Sequence, residues 1–402
     1  MVVQGSSNNA DTKDAIIDAL TVALSKSDNS FKPSWCMIFA GGKHDKDIIH
    51  AELKNKIGDI PVVGGSVIGT VDSEKFSYSH YEISLLIFSN DLEPKIISSS
   101  SLNNGEFEAG KKLGLEMQNL VEDGDNIIVF YDSIQSTPPP KLYVGGALLN
   151  GIYSILDHNK VNILGGGLVG DYQMSNSFIF DGTVVEKHLA VAIVLPSKLK
   201  NYNQIMHGCQ PISTLLTITD ISGSEILEID GRPALDVILE ITGQDKSEES
   251  LKRMCMGITI GKCYGDPFDD YDESKFVNRL IIMANPEKGS VIIFDDDFEV
   301  GTEIQLMSRD NDLMLESARL GLIKFNEETK GKNHIFSLYV NCAGRSCAWS
   351  GGEEEEASVI TQASNNDIPL LGAYIGVEFT PVLGKTYPVD WNGVLSAFYI
   401  ND

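Results

Sequence analysis

A ten-residue pattern that occurs twice, about a hundred residues apart, constrains the fold of this chain most strongly. The first copy, at 60–69, reads IPVVGGSVIG, and the second, at 161–170, reads VNILGGGLVG. In each copy an apolar stretch leads into two adjacent glycines, and a further glycine follows four residues later. A very apolar segment comes about twenty residues after each copy, at 83–88 and at 189–195. The repeat predicts a duplicated supersecondary unit and points to a binding fold.

The spacing of apolar residues predicts the same order of elements in both copies. A helix, a strand, a second helix and a second strand precede each glycine pair, an order typical of an α/β fold with a partly parallel sheet. The sequence therefore predicts an α/β, two-domain mixed-sheet architecture with an internally duplicated N-terminal unit. The predicted helices cover 12–26, 44–57, 106–120 and 142–157, and the predicted strands between them cover 35–40 and 126–131.

The pattern changes near residues 200–230, which places the predicted domains at 12–215 and 216–402. In the second domain short strands alternate with turns, and a helix is predicted at 311–325. Residues 369–378, PLLGAYIGVE, repeat the apolar and glycine pattern more loosely.

The composition limits the classes of molecule that this protein could bind and the compartments in which it could occur. The 402 residues carry a formal net charge of −26, which argues against nucleic acid or an anionic membrane as partner because both are polyanions. The polar N-terminus lacks a signal-peptide core, and no apolar run approaches the roughly 20 residues that span a bilayer. Six cysteines without a CxxC pair indicate reduced thiols rather than a disulfide scaffold or a zinc site. A cytoplasmic protein is expected.

The glycine turns form the first candidate ligand site. Glycines at a strand end allow positive φ and the close approach of another backbone, which is a structural role. Amides freed by such a turn can instead hold a carboxylate or another small anion. Residues 165–170 also match GxGxxG, but they lead into a strand and offer no helix N-terminus to a pyrophosphate, which disfavours a dinucleotide. The candidate residues are Gly64, Gly65, Ser66, Gly165, Gly166 and Gly167.

Polar candidates lie beyond the turns. Arg345 and Glu378 each come just after an apolar strand, and on adjacent strand ends they would clamp the carboxylate and the amine of an amino acid. A structural ion pair is the alternative. Asp171, directly after the second turn, is a further candidate for a ligand contact. His207 is a candidate axial ligand for haem iron, and Cys342 is a candidate nucleophile or, more commonly at such a position, an apolar filler.

Several segments, taken in order across nearly the whole chain, resemble the FIST family. Two positions depart from the family pattern, because Val377 separates Gly376 from Glu378 and Cys209 stands where a bulky residue is usual. The matching segments are VVGGSVIG (62–69), LGGGLVGD (164–171), FIFDG (178–182), HGCQPI (207–212), IDGRPA (229–234), CAGR (342–345) and LGAYIGVE (371–378).

The resemblance implies N-terminal and C-terminal FIST domains of an intracellular sensory module that binds small ligands such as amino acids. Family members are fused to kinases, cyclases or chemoreceptors, so this chain would pass its signal to a separate partner such as a kinase or a cyclase. A haem-binding subgroup of the family senses nitric oxide. This resemblance implies that His207 could be the axial ligand of a haem iron.

The leading hypothesis is a cytoplasmic small-metabolite sensor without cofactor or metal, whose domains change their relative position when Asp171, Arg345 and Glu378 contact the ligand. Three alternatives stay open. They are a haem-based nitric-oxide sensor using His207, an enzyme acting on a small amide or thiol compound through Cys342, and a scaffold whose pocket is vestigial.

Overall fold

The computed structural model describes residues 1–363 and 367–401. The chain first forms β1 (Val2–Ser7), α1 (Thr12–Ser25), β2 (Pro33–Gly41), α2 (Lys46–Ile57), β3 (Val62–Val67), β4 (Gly69–Val71), β5 (Phe76–Ser77) and β6 (Ile83–Ser89). It then forms β7 (Lys95–Ser99), α3 (Glu106–Met117), β8 (Asp125–Asp132), β9 (Ile134–Ser136), β10 (Lys141–Leu142), α4 (Gly145–Tyr153), β11 (Val161–Leu168), β12 (Ile179–Asp181), β13 (Val185–Glu186) and β14 (Ala190–Val194).

The elements that follow are β15 (Leu199–Met206), β16 (Gln210–Pro211), β17 (Leu216–Ser222), β18 (Glu225–Ile229), β19 (Arg232–Pro233), α5 (Ala234–Thr242), α6 (Glu248–Gly257), β20 (Ile258–Cys263), β21 (Phe276–Asn285), β22 (Ser290–Ile293) and β23 (Glu303–Ser308). The last described elements are α7 (Asn311–Thr329), β24 (Asn333–Cys342), α8 (Cys347–Ser350), α9 (Glu356–Ala363), β25 (Leu370–Ile375), β26 (Val377–Val382), β27 (Lys385–Val389) and β28 (Gly393–Ile400).

Three of the sheets are six-stranded and follow one plan. Their strand orders are β1-β6-β2-β3-β12-β13, β7-β14-β8-β11-β26-β27 and β15-β28-β24-β25-β4-β5. In each sheet the two central strands are parallel and are joined by a crossover that contains a helix. The repeated unit therefore occurs three times in the fold, and the looser glycine pattern at 369–378 belongs to the third unit.

The three units exchange strands in a cycle. After β3 the chain leaves its own sheet, and β4 pairs with β25 of the third unit. After β11 the chain likewise moves to the first unit, where β12 pairs with β3. After β25 it moves to the second unit, where β26 pairs with β11. Each sheet is therefore completed by a two-stranded ribbon from another unit.

The three sheets face one another around one central core. Phe39, Phe130 and Phe336 each come from a different sheet and belong to the same buried cluster. Because successive strand residues point to opposite faces, the alternate residues face outward. A pair of helices covers each outer face, namely α1 with α2, α3 with α4, and α7 with α9. We call this three-sheet body the prism.

A separate barrel is inserted into the third unit between β15 and α7. It spans 210–308, and its strands form an eight-stranded sheet in which β20 also pairs with β23, so that the sheet closes on itself. Its apolar residues form their own cluster, which includes Leu235, Ile238 and Ile260. We call this segment the inserted barrel.

The α/β fold class and the duplication in the N-terminal half are confirmed. The helices predicted at 12–26, 44–57 and 106–120 agree closely with α1, α2 and α3, because each has an apolar face and Asp11 and Asp45 cap the first two. The helix predicted at 142–157 is shorter in the structure, where α4 spans Gly145–Tyr153 without a side-chain cap and Leu142 belongs to β10. The boundary between 12–215 and 216–402 stays a prediction.

Candidate functional site

A cavity of about 370 Å³ lies at the end of the prism where the chain leaves β3, β11 and β25. Ile68, Val169 and Gly376 are the residues directly after these strands, and all three line the cavity. Cys342, the last residue of β24, and the two residues that follow it line the cavity as well. Ligands of α/β sheets commonly bind at the carboxyl ends of the strands. We call Ile68, Val169 and Gly376 the exchange points, because the chain passes from one unit to another at each of them. All three exchange points therefore lie at one candidate site.

The inserted barrel supplies the facing wall of this cavity. Met256 of α6, Leu280 of β21 and Phe294 after β22 line it, so most of its surface is apolar. Tyr172 and Trp349 stack with their ring centroids 6.2 Å apart, and both also line the cavity. A molecule bound here would contact the prism and the inserted barrel together.

Arg309 is the charged residue among those that line the cavity. Its Nε donates to the carbonyl oxygen of Met256 at 2.6 Å and its Nη2 to that of Cys255 at 3.1 Å, both at the carboxyl end of α6. The guanidinium lies over the indole of Trp391, 4.2 Å from the ring centroid. Burial lowers the pKa of Arg309, yet a guanidinium stays protonated in proteins.

The glycines of the two turns allow neighbouring strands to approach β3 and β11 closely. Gly64 and Gly165 are equivalent in the two copies, with φ of +118° and +113°. A Cβ on Gly64 would lie 2.0 Å from the carbonyl oxygen of Ile38, and one on Gly166 would lie 2.0 Å from that of Val377. In these two copies Ile68 and Val169 line the cavity, whereas residues 64–66 and 165–167 do not. A ligand contact for the glycines stays a prediction.

The remaining turn residues are placed by local and cross-strand bonds. The Oγ of Ser66 accepts a hydrogen bond from the Phe178 amide at 3.0 Å, which ties β3 to the incoming ribbon. Gly65 and Gly167 lie inside β3 and β11 and are buried. The carboxylate of Asp171 accepts bonds from the amide and the hydroxyl of Ser175 at 3.0 and 2.6 Å.

Arg345 pairs with Glu356 rather than with Glu378. Its Nε and Nη2 donate to the two carboxylate oxygens of Glu356 at 2.8 and 2.6 Å, and both side chains are fully buried. Its Nη1 donates to the carbonyl oxygens of His207 and Trp391 at 3.0 and 2.9 Å. Such a bidentate pair satisfies the guanidinium within the fold. The amino-acid clamp of Arg345 and Glu378 stays a prediction that this pairing does not favour.

Glu378 is buried beside the cavity wall. Its Oε2 accepts a bond from the Asn392 amide at 3.3 Å, and its Oε1 has no partner among the residues that the structure describes. Burial and the neighbouring carboxylate of Asp390 raise the pKa of Glu378 well above its usual value. A carboxyl in this position tends to hold its proton.

Family sequence models match this chain over most of its length. The FIST N domain matches residues 34–232, and the FIST C domain matches 234–381. The chain belongs to the FIST family. Members of this family are associated with sensory and signal-transduction proteins.

The chain is similar to curated proteins of mycobacteria. The chain is 27% identical to the uncharacterized protein Mb0898c of Mycobacterium bovis over 224 residues, which are 56% of each chain. It is also 27% identical to the uncharacterized protein Rv0628c of Mycobacterium tuberculosis, over 55% of this chain and 57% of that one. The chain therefore spans a little over half the length of these relatives.

A comparison with solved structures gives a weak match for this FIST chain. It aligns to the structure of PurLQS from Thermotoga maritima with a TM-score of 0.22 and 12% identity, covering 100% of this chain and 72% of that one. Within residues 1–363 and 367–401, no helix is long and apolar enough to cross a membrane.

The histidine proposed for haem in this FIST chain does not fit an axial ligand. His207 is fully buried, its Nε2 lies 3.0 Å from the carbonyl oxygen of Glu273, and its Nδ1 accepts a bond from the Cys209 amide at 2.9 Å. Both ring nitrogens are therefore engaged by the backbone, with the proton on Nε2. Burial lowers the pKa of His207, which favours this neutral form.

Cys342 lines the cavity, but its environment opposes nucleophilic chemistry. Burial and the nearby Glu378 raise the pKa of the Cys342 thiol far above its usual value. The thiolate is the reactive form of cysteine, and reactive cysteines have lowered pKa values. The alternative of an enzyme that uses Cys342 gains no support from this geometry.

Sequence reasoning missed the two features that define the site. The cavity depends on strand exchange, and Arg309 lies in a short connection between β23 and α7 without a motif of its own. The signal nearest to it is Asp310, whose side chain caps α7. That cap marks the start of a helix and gives no sign that the preceding residue faces a cavity.

Proposed function

We propose that this protein is a sensor that binds a small, largely apolar metabolite, such as an amino acid or a close analogue, in the cavity between the prism and the inserted barrel. The cavity carries this proposal, since its volume of about 370 Å³ suits a small ligand. Its walls come from two bodies of the fold, so that binding would shift their relative position. The association of FIST proteins with sensory signalling supports the same conclusion.

The signal passes to a separate protein partner, such as a kinase or a cyclase. Trp349 and Met256 could carry the signal from the cavity to the protein surface. Both line the cavity, and their exposed fractions are 59% and 57%. A ligand that changes how these side chains lie would alter the surface offered to a partner. A cytoplasmic location is part of this proposal.

A thermal-shift screen of amino acids and their analogues tests the ligand. A ligand that binds only the native state at one hundred times its Kd adds about 2.7 kcal/mol to the free energy of unfolding, so the melting temperature rises measurably. Ala343→Phe fills the cavity and is expected to abolish that rise. Ala51→Phe, on the exposed face of α2, is the matched control that should keep it.

The scaffold alternative makes the opposite prediction. If no metabolite raises the melting temperature of the wild-type chain, or if Ala343→Phe leaves the rise intact, the cavity is not the ligand site. In the second case the ligand binds elsewhere on the protein.

A further inference from the structure

Arg309 differs from the other arginines of this chain. The chain has six arginines among 57 acidic residues, and five of the six lie within 4.0 Å of a carboxylate oxygen. Arg309 forms no such ion pair within the described residues, although the net charge is −26. The residue that faces the cavity is therefore the one that lacks an anion.

The neighbours of Arg309 hold the guanidinium in place without neutralising it. The carbonyl oxygens of Cys255 and Met256 lie at the end of α6, where the helix dipole supplies only about half a negative charge. Trp391 covers one face of the guanidinium. Nη1 has no partner within residues 1–363 and 367–401, so its N–H groups stay free to bind a ligand.

The rest of the cavity lining carries no charge to compete for an ionic ligand. The described residues that line it include neither Asp, Glu nor Lys, and its apolar part is formed by residues such as Ile68, Val169 and Phe294. A groove of about 330 Å³ adjoins the cavity and shares Met256, Arg309 and Trp349 with it. Arg309 thus stands where an apolar space meets a more polar one.

We infer that the ligand of this cavity is an apolar monocarboxylate without an ammonium group, with its carboxylate on Arg309 and its apolar body against the exchange points of the prism. This inference rests on the proposed function, in which the cavity binds a small molecule, and it narrows the ligand from an amino acid or a close analogue to an analogue without the ammonium group. Both N–H groups of Nη1 can donate charge-assisted hydrogen bonds to a carboxylate, while Nε and Nη2 stay bound to the carbonyl oxygens of Met256 and Cys255. A free amino acid is disfavoured because no carboxylate lines the cavity, and a desolvated unpaired ammonium group is costly. Asp310 lines the adjoining groove, but its carboxylate accepts hydrogen bonds from the amides of Asp312 and Leu313 at the start of α7.

Displacement of a neutral fluorophore from the full chain tests this inference. N-phenyl-1-naphthylamine has no charge, so its binding in the cavity depends on apolar contact and not on Arg309. We compare how 3-phenylpropionate, 3-phenylpropanamide and L-phenylalanine displace it. The acid is expected to act at a concentration about tenfold or more below that of the amide, because hydrogen bonds to charged groups are the stronger ones. L-phenylalanine is expected to be weaker than the acid.

Variants assign the preference to one side chain. Arg309→Gln should remove the difference between acid and amide, while Arg309→Lys should keep a reduced part of it. Arg232→Gln, which removes the same charge from an exposed position of the inserted barrel, should leave the difference unchanged. The comparison of acid and amide on the wild-type chain needs no variant, so a misfolded Arg309→Gln does not remove the test.

The outcomes separate the two proposals. Equal displacement by acid and amide, or an unchanged preference in folded Arg309→Gln, overturns the role of Arg309 and leaves the cavity as a site for neutral molecules. L-phenylalanine acting as well as the acid overturns the exclusion of the ammonium group. If Ala343→Phe binds both the fluorophore and 3-phenylpropionate as tightly as the wild type, neither molecule occupies the cavity and the proposed function fails with this inference.

Discussion

Buried carboxyl groups lie where the inserted barrel meets the prism. Arg279 of β21 forms a bidentate ion pair with Asp297, and its Nη1 donates to the carbonyl oxygen of Pro388 at 2.9 Å. Asp390 accepts a bond from the Leu280 amide at 3.0 Å. Burial raises the pKa of Asp390 to about 7, even though Arg279 opposes the shift. The contact between the two bodies is therefore sensitive to protonation.

This shift predicts that stability falls as the pH rises through neutrality. The folded-state pKa of Asp390 lies above its unfolded value, so the native state binds more protons and loses stability as Asp390 ionises. Burial also raises the pKa of Asp295, to about 6, and acts in the same direction. From pH 6.5 to pH 8 the free energy of unfolding is expected to fall by about 1 kcal/mol. Urea denaturation at each pH measures it.

One variant and its control assign that pH dependence. Asp390→Asn should flatten most of the slope, because the amide cannot ionise. Asp220→Asn, at an exposed position of β17, should leave the slope unchanged. A steep slope in Asp390→Asn would place its origin in another group, such as Glu378, whose pKa burial and Asp390 also raise.

At the residue scale the sequence predicts burial and charge but not partners. Its pattern points Arg345 toward a ligand or Glu378, whereas Arg345 is bound by Glu356, eleven residues along the chain on α9. The partner depends on how α9 lies against β24, and apolar periodicity carries no information on that. The role of Arg309 could not be predicted from the sequence for the same reason. Whether an arginine has a carboxylate as an ion-pair partner depends on the tertiary structure.

At the scale of elements, the antiparallel pairing of β11 with β26 requires a glycine at position 166. Gly166 pairs with Glu378 and has a φ of +148°. A Cβ there would lie 2.0 Å from the carbonyl oxygen of Val377, a backbone atom that cannot move away without shifting the incoming ribbon. Gly166→Ala is therefore expected to destabilise the protein by about 3 kcal/mol or more, measured by chemical denaturation.

Gly223→Ala is the matched control for that substitution. Gly223 also has positive φ, at +58°, but no atom lies within 4 Å of the position that an added Cβ would take. Only backbone strain remains, which costs about 1 kcal/mol. Equal losses in the two variants would show that close approach of the ribbon does not matter.

The helices and central strands can be predicted because local patterns determine them. Apolar periodicity and caps such as Asp11 define α1, and a continuous apolar run defines β8. The ribbons β4–β5 and β12–β13 are short and pair with strands far away in sequence. Their pairing follows from the exchange between units, which no local pattern in the sequence reveals.

For the whole molecule, the third unit is hidden in the sequence by the inserted barrel. Its strand β15 and its helix α7 are separated by 210–308, whereas β1 and α1 are nearly adjacent. Two copies of the pattern are therefore evident from the sequence, whereas the third, at 369–378, matches the pattern only in part. The cyclic exchange makes the three units depend on one another, since each sheet contains a ribbon from another unit.

That dependence predicts how fragments behave. A fragment of residues 1–215 keeps β4, β11 and β15 but loses their partners β25, β26 and β28, and it also loses the third wall of the central core. We expect it to lack a cooperative thermal transition. A fragment of 207–310 retains its own apolar cluster and a sheet closed on itself, so we expect it to fold alone. Circular dichroism melts of both fragments measure this, and cooperative unfolding of 1–215 would instead support the boundary predicted after residue 215.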